Sequence, residues 1–196
     1  QNKCSRNFYE ESVHIRDTKL VAAEHGYGAL MASMKPTAKL PGKKAAIIGG
    51  GPTGIAAAYF LARGGVETTI FEREEKLGGV PRYVIPAFRI SDEALDKDVA
   101  LMERLGVEVK CGAPAPSVAE LKKMGYTHIL LATGAWQAGE LGIPGNVRGV
   151  IAWMKEMKQQ VKPCLEGHVV VVGAGNTAMD AARVAKRMGA HATILY

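Results

Sequence analysis

The chain reads as an α/β protein: a parallel sheet with flanking helices, followed by the opening βαβ unit of a second sheet. Three observations predict this. The apolar run Ala45-Ala46-Ile47-Ile48 turns through Gly49-Gly50-Gly51-Pro52-Thr53-Gly54 into a helical stretch, Ile55–Ala62. A second run, Thr68-Thr69-Ile70-Phe71, ends on the acid Glu72. Finally, Gly173–Tyr196 lies over Gly49–Glu72 without a gap, and Gly173, Gly175, Thr177, Ala181, Ala182, Arg187, Gly189, Thr193 and Ile194 match their counterparts. Strand, G-x-G-x-x-G, helix, strand and acid are the parts of a dinucleotide-binding βαβ unit. The expected fold is a Rossmann-like domain plus the first unit of a second, truncated Rossmann domain.

Each glycine of the first turn has a physical task. Gly49 permits the tight turn out of the strand, Gly51 lets backbone approach a pyrophosphate, and Gly54 lets the helix pack on the strand. The helix N-terminus then aims unpaired N–H groups and the positive dipole end at phosphate. Glu72, eighteen residues past Gly54, is placed to accept hydrogen bonds from a ribose diol.

The elements follow in order. Ser12–Glu24 predicts a helix, stopped by His25-Gly26, and 32–42 with Pro36 and Pro41 predicts a connecting loop. After Glu72, Gly78-Gly79 predicts a turn, or a place where backbone meets a flat ring or phosphate too closely for a Cβ. Ser91 caps a helix over Asp92–Leu105, with Leu95, Val99, Met102 and Leu105 on its buried face. Val107–Cys111 is a short strand, and Ser117-Val118-Ala119-Glu120 is a capping box that opens another helix, ending near Met124-Gly125. His128-Ile129-Leu130-Leu131-Ala132 is apolar throughout, as in a strand buried within a parallel sheet. It delivers Thr133-Gly134 to the strand's carboxyl end, where open α/β sheets bind ligands. Val150–Gln160 predicts a helix whose Met154, Met157 and Trp153 read as core. Val169–Val172, a helix over Ala178–Met188 and a strand over Ala192–Tyr196 complete the second unit.

Composition excludes several classes. Hydrophobic residues make up 47% and charged residues 22% of the 196, enough apolar content for a core. The net charge of +6 is spread over scattered lysines; no basic run is interleaved with aromatics as nucleic-acid binding would require. No apolar run approaches the ~20 residues of a membrane span, and no signal peptide is expected. The three cysteines (Cys4, Cys111, Cys164) form no C-x-x-C, so no redox dithiol or zinc ribbon is expected, and a reducing, cytoplasmic setting fits. The five histidines form no H-x-x-x-H pair, and no catalytic side chain is assigned.

Taken together, Gly49–Gly54, Glu72, Gly78-Gly79, Ile85-Pro86-x-Phe88-Arg89, Ala132-Thr133-Gly134 and Gly173–Asp180 resemble the two-dinucleotide flavoproteins. The resemblance is to the glutamate synthase small-subunit group, which includes the flavin part of dihydropyrimidine dehydrogenase. Within it, Asn7-Phe8-Tyr9, His14-Ile15-Arg16 and Gly173–Asp180 are most similar to candidate selenate reductases. The resemblance implies FAD at the first unit, held by Gly49, Gly50, Gly51, Pro52, Thr53, Gly54, Glu72, Arg73, Gly78, Gly79, Arg89, Ala115, Thr133 and Gly134. Among these, Gly79 and Arg89 are expected at the flavin nucleotide and Ala115 beside the adenine. It implies NADPH at the second unit, held by Gly173, Ala174, Gly175, Asn176 and Thr177. It also implies an N-terminal iron–sulfur region, in which Cys4 resembles the last ligand; without its companions Cys4 alone cannot hold a cluster.

The expected organisation is a helical segment and linker over 1–42, an FAD-binding domain over 43–145 and the start of an NAD(P)-binding domain over 146–196. The chain reads as an interior fragment of a larger subunit. The function expected is a flavoprotein oxidoreductase module that passes electrons from NADPH through FAD to iron–sulfur centres or a partner reductase. The chemistry belongs to the cofactors and the protein's task is positioning. Alternatives are a non-catalytic electron-transfer or assembly module, and an apo fragment that does not retain FAD and self-associates through exposed sheet edges.

Overall fold

A computed structural model describes residues 3–137, 139, 141–160 and 164–196. Contacts divide the chain into two compact units, with the division after Lys35.

In the first unit a 3₁₀ turn, Ser5–Phe8, precedes helix α1, Ile15–Ser33. The predicted stop at His25-Gly26 is overridden, and α1 runs through Gly26 and Gly28. A glycine inside a helix costs only about 1 kcal/mol relative to alanine, less than the loss of a further two turns of hydrogen bonds. The helix ends where Met34 turns extended, two residues before Pro36. His14 precedes α1 and its ring nitrogens meet Asp17 (3.1 Å) and Glu11 (3.3 Å), which raise its pKa above the ordinary histidine value.

The second unit holds both sheets. The first contains β1 (Lys44–Ile48), β2 (Glu67–Phe71), β3 (Glu108–Lys110) and β4 (His128–Leu131) in the order β3-β2-β1-β4. All its pairings are parallel, the arrangement expected when helical crossovers return each strand to the same direction. Helix α2 (Pro52–Arg63) connects β1 to β2, with Gly54, Ala58 and Ala62 buried at helical spacing. Then come α3 (Gly79–Tyr83), α4 (Asp92–Arg104) and α5 (Val118–Lys123). The predicted caps are present: Ser91 Oγ accepts from Ala94 N (3.2 Å), and Ser117 with Glu120 forms the reciprocal capping box.

One expectation is corrected. β4 was expected to be buried on both faces, yet it lies at the sheet's edge, and Leu131 is 66% exposed. A continuous apolar run shows that a strand is meant to be covered, but not what covers it; Ile129 packs against the cluster around Leu121, while Leu130 and Leu131 stay exposed.

Helix α6 (Val150–Gln159) leads to the second sheet, β5 (His168–Val172) and β6 (His191–Leu195), joined by α7 (Asn176–Arg187). The sequence repeat is repeated in hydrogen bonding. Lys44 pairs with Glu67 through to Ile48 with Phe71, and His168 pairs with His191 through to Val172 with Leu195. Met154 and Met157 are buried as expected, Met154 in a cluster with Val84 and Ala181. Under the first sheet, Ala46, Phe71, Leu121 and Tyr126 form a second cluster. Leu121 is 0% exposed there, so Leu121→Ala should cost about 2–5 kcal/mol by cavity formation. Chemical denaturation measures it, and a loss well under 1 kcal/mol would mean that α5 is not anchored by this side chain.

Candidate functional site

Two turns carry the candidate site, and they are built alike. Gly49 N donates to Phe71 O and Gly173 N to Leu195 O, both at 2.8 Å. Gly49 and Gly173 have φ of 106° and 118°, conformations that favour glycine. Gly51 and Gly175 are the extended N-cap residues of α2 and α7, with Ile55 N to Gly51 O and Met179 N to Gly175 O both 3.0 Å. No side chain caps either helix. Their first-turn N–H groups and positive dipole ends are thus left for an anion.

Which glycines the protein itself requires separates packing from binding. A Cβ on Gly54 would lie 2.0 Å from Gly49 O, so α2 can press on its own turn only through glycine. A Cβ on Gly50 would lie 2.2 Å from Leu77 Cδ2. By contrast, a Cβ on Gly51 would meet only Gly79 Cα, at 3.8 Å, and one on Gly175 would meet nothing within 4 Å. Protein packing therefore does not account for the second glycine of either turn.

Glu72 is 7% exposed, and its carboxylate holds the turn in place. Oε2 accepts from Gly50 N (2.6 Å) and Oε1 from Glu74 N (2.9 Å). Each oxygen keeps a lone pair for a further donor such as a ribose hydroxyl. Gly78 N donates to Gly50 O (2.8 Å), and a Cβ on Gly79 would lie 2.8 Å from Gly51 Cα. The 49–54 turn, Glu72 and Gly78-Gly79 thus converge at the carboxyl ends of β1 and β2. Thr133 and Gly134 join them from the end of β4: a Cβ on Gly49 would meet Ala132 O at 2.4 Å and Thr133 Cα at 3.2 Å. Pro52 opens α2, and Thr53 beside it is exposed.

The other expected residues lie further from the first turn. The Arg73 guanidinium lies 5.3 Å from the centre of the Trp136 ring, and Ala115 is half-buried against the Phe71–Leu121 cluster. Arg89 Nε donates to Asp180 Oδ1 (2.7 Å) on α7, so its carboxylate partner belongs to the second βαβ unit. Ala174, Asn176 and Thr177 are exposed at the start of α7. Cys4, in the first unit, is half-buried, and backbone N–H groups of Val13 and Arg6 hold its thiol pKa below the usual value. Among the described residues no three His, Cys, Asp or Glu side chains gather as metal ligands. Cys111 is a free thiol whose pKa burial pushes up, the opposite of an activated thiolate.

Sequence reasoning missed two polar anchors. Arg82 is 5% exposed; its Nε donates to Leu77 O and its Nη2 to Asp96 Oδ1 (2.5 Å), tying the Gly78-Gly79 segment to α4. Asp92 and Asp96, four apart on one helix face, were the available signal. Lys155 Nζ pairs with Glu74 Oε1 (2.6 Å) and lies 5.4 Å from the centre of Trp136.

The pyridine nucleotide-disulphide oxidoreductase family matches residues 43–196. The chain belongs to this family. Its members are oxidoreductases that bind FAD and NAD(P)H. YgfK of Escherichia coli (strain K12), described as a candidate oxidoreductase, is 38% identical over 203 residues, covering 100% of this chain and 20% of that protein. The NADPH-Fe(3+) oxidoreductase subunit beta of Geobacter sulfurreducens is 32% identical over 210 residues, covering 100% of this chain and 31% of the relative. The glutamate synthase [NADPH] small chain of Escherichia coli (strain K12) is 32% identical over 193 residues, covering 89% and 40%. The chain thus spans between a fifth and two fifths of these curated relatives. Among solved structures, a 2-naphthoyl-CoA reductase complex superimposes with a TM-score of 0.63 at 23% identity, over 84% of this chain and 24% of that one. Thioredoxin reductase of Lactococcus lactis gives 0.53 at 23%, over 78% and 55%. These last two likenesses establish the fold.

Gly54→Ala should destabilise the chain by about 1–3 kcal/mol, because its methyl overlaps Gly49 O. Gly51→Ala should leave stability within about 0.5 kcal/mol of the parent. Denaturant unfolding of the two variants checks the contrast, and equal losses would show that both glycines serve packing.

Proposed function

We propose that the chain is the nucleotide-binding core of an NADPH-dependent flavoprotein oxidoreductase, with FAD at the first turn and NADPH at the second. The observation that supports this most is the doubled turn, with one register and one hydrogen-bond pattern, whose second glycine is not required by packing in either copy. In this reading Gly49–Gly54 and the N-terminus of α2 hold the FAD pyrophosphate, and Glu72 holds the adenosine ribose. Gly78-Gly79, Arg73, Thr133 and Gly134 border the same nucleotide, while Arg89 braces the flavin side against α7 through Asp180. Gly173–Thr177 hold the pyrophosphate of NADPH. With both bound, the chemistry supplied is hydride transfer from nicotinamide to flavin, and the chain's contribution is orientation.

The larger protein would carry the electrons on to iron–sulfur centres or a partner reductase, with Cys4 in the iron–sulfur region and the whole in the reducing cytoplasm. Among the described residues no helix is long and apolar enough to cross a membrane. Selenate is the terminal acceptor that the family resemblance suggests; selenate-dependent NADPH oxidation by the complete protein tests it, and its absence removes that acceptor.

Glu72→Ala should weaken FAD retention in the complete protein by about 1–3 kcal/mol, the worth of hydrogen bonds to a charged acceptor. Flavin content after gel filtration reads it, and unchanged content would refute the ribose role. The isolated chain, with Leu131 on an open edge and Val172 55% exposed on β5, should retain little FAD; stoichiometric flavin in a monomeric preparation would contradict this.

NADPH is preferred over NADH because Tyr196, which stands where Glu72 stands in the first unit, brings no carboxylate to repel a 2′-phosphate. The complete protein should show the higher kcat/KM with NADPH. An equal or higher value with NADH would overturn the preference.

A further inference from the structure

We propose that a pocket walled by the 84–88 segment, α6 and the C-terminal half of α7 binds a small amphipathic anion, an alkyl or aryl carboxylate. The pocket encloses about 320 Å³ and opens to solvent. That is the small end of the roughly 300–1,000 Å³ range of small-molecule sites. Phe88, Met154, Met157 and Val184 give it apolar walls, and among the described residues its charged lining is Lys158 and Arg187, with no acid.

Neither cation forms an ion pair among the described residues, although the Asp92 charge acts on Lys158 from a distance. Lys158 Nζ donates only to backbone, to Ile85 O (2.6 Å) and Pro81 O (3.4 Å), and its burial lowers its pKa. The Arg187 guanidinium lies over the Phe88 ring at 4.0 Å and forms no ion pair. Elsewhere in this unit Arg82, Arg89 and Lys155 all face carboxylates. A half-buried ammonium and an unpaired guanidinium at the rim of an apolar cavity complement an anion with a hydrophobic body. A strongly hydrated inorganic ion would forfeit its water against these walls, and a neutral ligand would bring no opposite charge to either cation. The methionines adapt to ligands of varied shape.

The pocket is separate from the nucleotide turns. Val184 lies eight residues along α7 from Asn176, about 12 Å at 1.5 Å per residue. An occupant would touch both the 84–88 segment and α7, and so brace the contact between the two βαβ units. Binding requires neither nucleotide, so the test is independent of the function proposed above.

The experiment is isothermal titration of octanoate into the full 196-residue chain with no FAD or NADPH present, and 1-octanol as the uncharged probe. Octanoate should saturate at one per chain and 1-octanol should bind on the order of tenfold more weakly. Lys158→Met and Arg187→Leu should each weaken octanoate by about tenfold, and Val184→Trp, which keeps both charges, should abolish binding. Circular dichroism confirms the fold of each variant; should Lys158→Met fail to fold, the other two decide. Absence of saturable octanoate binding, equal binding of octanoate and 1-octanol, or undiminished binding in Val184→Trp would overturn the proposal. So would binding that disappears in the complete protein, where another segment would then fill the pocket.

Discussion

The contact on which the second unit depends is that of Gly54 with the carbonyl of Gly49. A single added methyl at Gly54 would stand 2.0 Å from that oxygen, so the helix approaches its own strand as closely as backbone allows. This closeness aims the N-terminus of α2 along the ends of β1 and β2, and everything at the candidate site is arranged around it. Glu72 then clamps the intervening Gly50 N–H, and Gly78-Gly79 lies against Gly50 and Gly51. The acid that we propose for a ribose thus also shapes the turn, and in that reading its removal affects packing as well as binding.

The parts of this arrangement that are local in sequence were legible in sequence. Strand, turn, helix and acid fall within thirty residues of each other, and each has its own composition cue. The capping box at Ser117 and the cap at Ser91 were readable for the same reason. The ungapped repeat also forecast the second turn, down to the matching register of β5 with β6. What failed depended on distant partners. The apolar character of 128–132 could not reveal that β4 would sit at an edge. His25-Gly26 looked like a stop because a glycine's local cost is visible and the length of the continuing helix is not. Also unreadable was the pairing of Arg89 with Asp180, ninety-one residues away, which no spacing rule anticipates.

The same long-range pairs determine how the two βαβ units meet. Polar and aromatic contacts between them are those of Arg89 with Asp180, Lys155 with Glu74, and the Phe88 ring with the guanidinium groups of Arg183 (4.4 Å) and Arg187 (4.0 Å). Partly exposed ion pairs contribute about 1 kcal/mol or less each, and exposed cation–π contacts about 0.5–1 kcal/mol. The apolar cluster of Val84, Met154 and Ala181 is small, but each fully buried side chain of that size contributes about 1.5–3 kcal/mol. Adhesion therefore comes from the apolar cluster, and the polar contacts select one orientation from those the cluster would tolerate. Asp180 is the clearest case, because its side chain is 12% exposed and would keep only Arg183, 3.9 Å away on its own helix, if α7 turned away from Arg89. A largely buried carboxylate that loses its hydrogen-bonded partner costs more than the pair contributes. The penalty for the wrong orientation, rather than the strength of the right one, is what holds the second glycine turn against the first unit.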